Sequence, residues 1–430
     1  MKKNDISVLN VSTSDLHGGA ARAMYRLHKG LISAGIVSKV FVKEKLGDDY
    51  TVIPLEAFVP KNKFSKLYAW LLHKIENKKQ QFTWAKYPTR KNEFLSDLRS
   101  VPVYEALEAI DFNIIHLHWI NSRFLDIGEL CKINKPIVWT LHDTWAFTGI
   151  CHYTYKCEKY TDSCGSCIFL DSNDPLDLSH QVWEAKSLAY KNLNLHIVAP
   201  SHWLASMVKS SSLLKDFPIK VIPNGLDTKI YSPKIRSELP QNYGLNLNKK
   251  VVLFGALNPD QDERKGFTKF LEAVKYLEEL NYDFVIATFG SQNAVNIRTK
   301  IPIINYGFLA RDEQMAQAYS SADVMVVPSL SEVFGQTASE AMSCGTPVVA
   351  FDFSGITDIV DHKLNGYLAK PFDSWELAEG IIWCLENNKS GLLSSNARKK
   401  ALECYSIDSV AEQYIELYKS VLQPDICSQI

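Results

Sequence analysis

Two glutamates, Glu332 and Glu340, lie eight residues apart in the stretch Pro328 to Ala350, PSLSEVFGQTASEAMSCGTPVVA. Their setting suits a ligand that carries a phosphate and a vicinal diol. The run ADVMVVPS is short, apolar and valine-rich, so a buried strand is expected there, and TASEAMSCG has helical composition with a closing glycine. A strand that ends in a loop and opens into a helix is where parallel α/β sheets bind ligands. The amides of Phe334, Gly335 and Gln336 would then sit at a helix start, backed by a partial positive charge that favours phosphate. Glu332 would face whatever the phosphate carries, and Glu340 could accept two hydrogen bonds from a diol such as a ribose. A plainer reading fits the same letters: Thr337-Ala338-Ser339-Glu340 matches a capping box in which Glu340 only satisfies a backbone amide, and Glu332 alone could be a solvated loop acid.

Other residues supply complementary chemistry. Arg264-Lys265-Gly266 follows the strand KKVVLFGAL and could clamp a diphosphate, the arginine forking two oxygens and the lysine adding a point charge in place of a metal; a solvated basic helix start is the alternative. Gly18 and Gly19 open the first helix, where glycine lets backbone amides approach an anion, although simple turn chemistry explains them equally. With no G-x-G-x-x-G, a dinucleotide-binding reading is rejected. His142 ends the strand PIVWTL, a place where histidines are more often structural than catalytic, and His116 and His118 alternate on one face of the strand before it. Cys151, Cys157, Cys164 and Cys167 fall within seventeen residues. Four thiolates suit tetrahedral zinc, with His152 as a substitute ligand, but only one C-x-x-C knuckle is present, so structural zinc and free or redox-active thiols stand level.

The string P-S-x-x-E-x-F-G-x-x-x-x-E-A-M-x-C-G-T-P-V-V-A resembles, nearly position for position, the signature of the retaining nucleotide-sugar glycosyltransferases of family 4. That family has the α/β GT-B fold, two Rossmann-like doubly wound domains facing a central cleft. The resemblance implies that Glu332 contacts the donor sugar, that Phe334, Gly335 and Gln336 contact sugar and phosphate, and that Glu340 holds the ribose. It places Gly18 and Gly19 along the cleft, sets His142 of the T-x-H segment near the donor sugar, and adds Asn224 of IKVIPNGLD to the substrate-binding set. By the same resemblance the partners are a UDP- or GDP-type sugar donor and a glycan or lipid-linked acceptor, with no cofactor required for catalysis. Family members usually have an arginine after the strand glycine, whereas Ala256 follows Gly255 here, and Arg264 is expected to cover for it. The run H-D-x-W-x-F-T-G-x-C-H-Y with trailing cysteines, starting at His142, resembles enzymes of the colanic-acid and exopolysaccharide type. Two other readings stay open, a sugar-nucleotide epimerase on the same fold and a nucleotide-binding scaffold without turnover, the latter motivated by Ala256. A metal-dependent transferase using Asp260-Gln261-Asp262 is disfavoured, since a lone D-x-D is frequent by chance.

The elements that must position these residues follow a regular rhythm. ISVLNVST, a loop, AARAMYRLHKGLISAG and VSKVFVK read as a βαβ unit, and FNIIHLHWI, PIVWTLHDTW, LHIVAPS and IKVIPNGLD continue it. A second series runs from KKVVLFGAL to TPVVAFD, so a mostly parallel sheet is expected in each half. The halves are taken as 1–226 and 227–408, with a linker from Asp227 to Lys250 that contains Pro233 and Pro240. The resemblance implies that the last helical stretch, about 409–430, packs back on the first half.

Composition sets the outer bounds. A chain of 430 residues, 46% hydrophobic, can bury two or three domain cores. A net charge of −1 gives no global argument for nucleic acid. No apolar run reaches the length of a membrane span, the start leads into a strand rather than a signal peptide, and nine cysteines do not suggest a secreted disulfide scaffold, so a cytoplasmic location is expected. The lysine- and aromatic-rich stretch Lys61 to Asn92, with Phe64, Tyr68, Trp70 and Trp84, reads either as a solvated helical insertion or as a peripheral patch on an anionic membrane surface at the inner face. The resemblance to enzymes with lipid-linked acceptors favours the membrane.

Overall fold

Short runs of β-branched residues alternate with helices along the chain, and each run becomes a strand of a parallel sheet. A computed structural model describes residues 5–58, 74, 78, 81–91, 95–96, 103–235, 249–257, 261–280, 282–291 and 297–423. The chain divides into two units, Met1–Pro200 with Leu204–Ile222 and Ala411–Ile430, and Ser201–Trp203 with Pro223–Val410.

In the first unit the strands are β1 (Ser7–Ser14), β2 (Val37–Glu44), β3 (Val52–Pro54), β4 (Ile114–Leu117), β5 (Ile137–Thr140), β6 (Leu195–Ala199) and β7 (Ile219–Val221). They pair in parallel in the order β3-β2-β1-β4-β5-β6-β7. The order reverses between β1 and β4, where Val8 lies against Ile114 and Val11 against Leu117. Helices α1 (Gly18–Ser33), α2 (Tyr104–Glu108), α3 (Leu178–Ala189) and α4 (His202–Ser210) connect strands.

The second sheet comprises β8 (Lys250–Gly255), β9 (Phe284–Phe289), β10 (Ile303–Asn305), β11 (Val324–Val327), β12 (Val348–Phe351) and β13 (Gly366–Ala369), all parallel, in the order β10-β9-β8-β11-β12-β13. Around it run α5 (Phe267–Glu279), α6 (Asp312–Ser321), α7 (Gln336–Ser343), α8 (Ser374–Asn387) and α9 (Leu392–Tyr405). The pleat sends alternate side chains of β8 to opposite faces: Val251 and Leu253 join one core, Val252 and Phe254 the other. Both faces are therefore covered, which is why the strands read as continuous apolar runs rather than alternating ones. Each such fully buried side chain contributes about 1.5–3 kcal/mol relative to exposure. The strand order reverses between β8 and β11, so the loops after these two strands open at a topological switch point.

The units divide between Ile222 and Pro223. Of the expected linker, the described part from Asp227 to Ile235 packs into the second unit: Tyr231 is fully buried in its core and its carbonyl accepts from Arg398 Nη1 at 2.7 Å. Residues 236–248 lie outside the described residues. The last helix, α10 (Ile407–Leu422), belongs from Ala411 onward to the first unit. There its Tyr418 hydroxyl lies 2.7 Å from His116 Nδ1 and its Tyr414 hydroxyl 2.8 Å from Thr140 Oγ1. No helix among the described residues is long and apolar enough to cross a membrane.

Candidate functional site

The loops after β8 and β11 bring Arg264, Lys265 and Glu332 together. A turn over Glu263–Lys265 is capped by Asp262, whose carboxylate accepts from the Arg264 amide at 3.1 Å and from Arg264 Nη2 at 2.7 Å. Gly266 then reverses the chain with φ of +69° before α5 begins. A Cβ at that position would meet the Pro328 carbonyl oxygen at 1.8 Å, so only glycine lets this turn lie against the end of β11. The close approach holds Lys265 Nζ 2.7 Å from Glu332 Oε1, with Arg264 Nη1 3.7 Å from the same oxygen. Ser329 Oγ donates to that oxygen at 3.1 Å, and the Glu332 amide donates to Ser354 Oγ at 3.0 Å. Burial alone would raise the Glu332 carboxyl, but the charges of Lys265 and Arg264 outweigh it and hold the group below the usual carboxylate range. Arg264 is buried, and is not the solvated basic helix start that the sequence also allowed. Asp262 acts as a cap and ion-pair partner, while Asp260 lies outside the described residues.

Glu340 sits within α7, which starts after Gly335 in the left-handed region at φ of +104°. Because Gly335 and not Thr337 is the N-cap, the capping-box alternative fails. Instead the buried Glu340 carboxylate accepts from the Tyr319 hydroxyl of α6 at 2.9 Å. Burial, and then the Glu340 charge, push the Tyr319 phenol well above its ordinary value, so it remains a donor. The Gly335, Gln336 and Thr337 amides lie at the entry of α7, where the helix dipole is positive. Phe334 is buried below them, its ring edge-on to Tyr405 at 5.5 Å. Asn224 lies half-buried at the start of the second unit, next to Gly225, where a Cβ would meet Ile407 Cδ1 at 2.6 Å.

In the first unit, His116, His118 and His142 gather at the ends of β4 and β5. His116 is satisfied on both sides, Nδ1 by Tyr418 and Nε2 by Thr140 Oγ1 at 2.8 Å, and is a core residue. His118 Nδ1 lies 3.1 Å from His142 Nε2. Burial lowers His142 to about 4, opposed by the charge of Asp143, and takes His118 well below the usual imidazole range. Asp143 is locked by Trp119 Nε1 at 2.8 Å, the Trp145 amide at 2.8 Å and His152 Nδ1 at 2.6 Å. His118, Trp119, Asn121, His142, Asp143 and Trp145 line a small pocket. His152 Nε2 meets Ser96 Oγ at 2.8 Å, giving a Ser–His–Asp order, but the Ser96 amide donates to Ile150 and its carbonyl accepts from Trp145, so the serine is an anchor. Gly18 and Gly19 form the first turn of α1, Gly18 with φ of +85°.

Cys151, Cys157, Cys164 and Cys167 lie close enough for their charges to act on one another. Among the described residues no group of three or more His, Cys, Asp and Glu is arranged to hold a metal ion, and both nitrogens of His152 are engaged. Cys164 Sγ accepts from the Gly149 amide at 3.1 Å, while burial pushes the thiols of Cys151, Cys164 and Cys167 up. Cys151 and Cys167 pack with Ile150, Phe169 and Leu178 in a satellite core flanked by Cys157, Trp84 and Tyr87, serving as small apolar side chains. Trp84 is partly buried against this core, and most of Lys61 to Asn92 lies outside the described residues.

Sequence reasoning passed over Tyr319 and Lys186. Lys186, on α3, is fully buried and its ammonium donates to the carbonyls of Trp145, Thr148 at 3.0 Å and Gly149 at 2.9 Å, bracing the loop after His142. A lysine within a helical run carries no sign of burial. Asp262, two residues before Arg264, was the one partner that local spacing could have suggested.

The chain as a whole is similar to known glycosyltransferases. Residues 17–230 match the model of Glycosyltransferase Family 4 and residues 236–401 that of the Glycosyl transferases group 1. An uncharacterised glycosyltransferase of Methanocaldococcus jannaschii is 29% identical over 75% of this chain and 88% of its own. The putative colanic acid biosynthesis glycosyl transferase WcaC of Escherichia coli is 24% identical over 73% of this chain and 76% of its own. Among solved structures, sucrose-phosphate synthase from Thermosynechococcus elongatus superposes with a TM-score of 0.65 at 18% identity, covering 96% of this chain and 99% of that one. The Anabaena protein HepE in complex with UDP-glucose gives 0.63 at 18%, covering 96% and 100%. With the two family models together spanning both units and the neighbours sharing the architecture, the chain belongs to glycosyltransferase family 4 and has the GT-B fold.

Proposed function

We propose that this glycosyltransferase is a retaining, metal-independent enzyme of polysaccharide biosynthesis. It moves a sugar from a UDP- or GDP-type donor to a hydroxyl of a glycan or lipid-linked acceptor, working at the cytoplasmic face of the membrane. The observation that carries this reading is the Arg264–Lys265–Glu332 cluster, set beside the entry of α7 at the switch point of the second sheet. Two cations and a helix entry favour a diphosphate, and the buried Tyr319–Glu340 pair offers a carboxylate to a ribose diol.

The chemistry then follows from charge. As the bond between the anomeric carbon and the diphosphate oxygen breaks, negative charge grows on the diphosphate, where Lys265 and Arg264 stabilise it. The acceptor oxygen bonds to the anomeric carbon from the same face, and its proton passes to the departing diphosphate. Glu332, released from Lys265 by the diphosphate, faces the sugar and the positive charge that develops on it. The role assigned to His142 is a polar contact to the sugar.

Calorimetric titration with a panel of UDP- and GDP-sugars, alongside Glu332→Ala and Lys265→Ala, tests the reading. Selective binding of one donor, weakened by Lys265→Ala, supports it and names the sugar class. Donor conversion without acceptor would instead identify an epimerase. Binding without turnover would identify a scaffold, the outcome that Ala256 makes worth testing. Loss of activity with chelator, restored by manganese, would overturn the metal-independent assignment.

A further inference from the structure

His118 and His142 are joined by a single hydrogen bond whose direction decides what His142 offers to a ligand. Their facing nitrogens, Nδ1 of His118 and Nε2 of His142, are 3.1 Å apart, and the ring planes differ by 24°. Both rings are depressed by burial and are neutral near pH 7. A neutral imidazole carries one N–H and one lone pair, so one ring donates and the other accepts. The second nitrogen of His118, Nε2, is buried without a hydrogen-bond partner among the described residues.

Two arrangements satisfy the bond. If His142 donates from Nε2, His118 must carry its own proton on Nε2, a buried N–H with no acceptor. If His118 donates from Nδ1, its Nε2 holds only a lone pair and His142 is protonated on Nδ1. An orphaned buried N–H is the rarer of the two defects, and leaving a buried group unsatisfied costs about 1–3 kcal/mol. We propose that His118 is a positioning residue that holds His142 in the Nδ1-protonated tautomer. Half-buried and lining the small pocket with Trp119 and Asn121, His142 thereby presents an N–H and not a lone pair.

The ligand atom this suits is an oxygen acceptor such as a sugar hydroxyl, and His142 acts as a donor rather than a base. The identity of that ligand rests on the transferase reading. The tautomer does not, because it is a property of the protein without ligand.

The test uses the full chain labelled with nitrogen-15 histidine and free of ligand. Two-bond proton–nitrogen correlation at neutral pH shows which ring nitrogen bears the proton, and His142→Gln assigns the signals by their loss. The expected result is a proton on Nδ1 of His142, a shift toward Nε2 in His118→Phe, and retention in His118→Asn, whose amide N–H can take the place of Nδ1. A wild-type His142 protonated on Nε2 overturns the proposal, as does an unchanged tautomer in folded His118→Phe. If His118→Phe does not fold, the wild-type spectrum decides alone. Failure of every nucleotide sugar to bind would remove the transferase reading and leave the tautomer result standing.

Discussion

Lys265 Nζ rests 2.7 Å from Glu332 Oε1, so in the ligand-free protein the glutamate occupies the cation that a diphosphate would need. Under the proposed function, donor binding exchanges one anion for another. Lys265→Ala is expected to weaken donor affinity about 10- to 100-fold, in line with about 1.5–3 kcal/mol for a hydrogen bond to a charged group. Glu332→Ala is expected to leave the fold intact and abolish transfer. An active Glu332→Ala enzyme, measured by product formation, would refute its role.

Tyr319 donates to Glu340, the carboxylate that the proposed function assigns to the donor ribose. Removing its hydroxyl in Tyr319→Phe is expected to raise the donor KM about fivefold, roughly 1 kcal/mol, with kcat nearly unchanged. A fall in kcat at constant KM would place the tyrosine elsewhere in the mechanism.

Gly266 combines a positive φ with contact against the Pro328 carbonyl. Gly266→Ala strains the backbone and separates the turn from β11, and a loss of stability of about 2–3 kcal/mol is expected. Denaturant unfolding measures it, and an unchanged midpoint would contradict the geometry.

Buried histidines make the protein acid-sensitive. His28 is lowered by burial to about 4, His116 to about 3 and His142 to about 4. In the unfolded chain each takes up a proton near pH 6.5, while the folded protein does not until the lower value is reached. Stability is therefore complete above about pH 6.5 and falls toward pH 4 by about 1.4 kcal/mol per unit for each such group. Thermal unfolding across this range should show the decline, with a shallower slope in His28→Gln.

Lys186→Met should remove the brace from three carbonyls in the loop after His142. The Trp145 carbonyl keeps the Thr148 amide at 3.3 Å, so two buried carbonyls lose their donor at about 1–3 kcal/mol each, and a loss of at least about 2 kcal/mol is expected. Proteolysis should then cut first between Trp145 and Gly149; cleavage elsewhere at unchanged stability would argue against the brace.

How much was legible differs between backbone and site. The strand runs were readable because parallel strands buried on both faces are made of contiguous apolar residues, as in Val324–Val327 and Val348–Phe351. The start of α7 was readable because only a few residue types tolerate the conformation that Gly335 adopts. Zinc was not decided by the spacing of Cys151, Cys157, Cys164 and Cys167. What the structure adds is that Cys151 and Cys167 pack with Ile150, Phe169 and Leu178, and that His152 is held by Asp143 and Ser96.

The sequence by itself determined two parallel α/β halves, the position of Glu332 and Glu340 on either side of a helix entry, and the family, because these depend on local conformational preference and short-range spacing. Only the tertiary structure decided the partners. Lys265 and Glu332 are 67 residues apart, Tyr319 and Glu340 are 21, His118 and His142 are 24, and His116 and Tyr418 are 302. Each pair meets because neighbouring strands and helices converge in space, and hydrogen bonds and charges act over a few ångströms regardless of how much chain lies between.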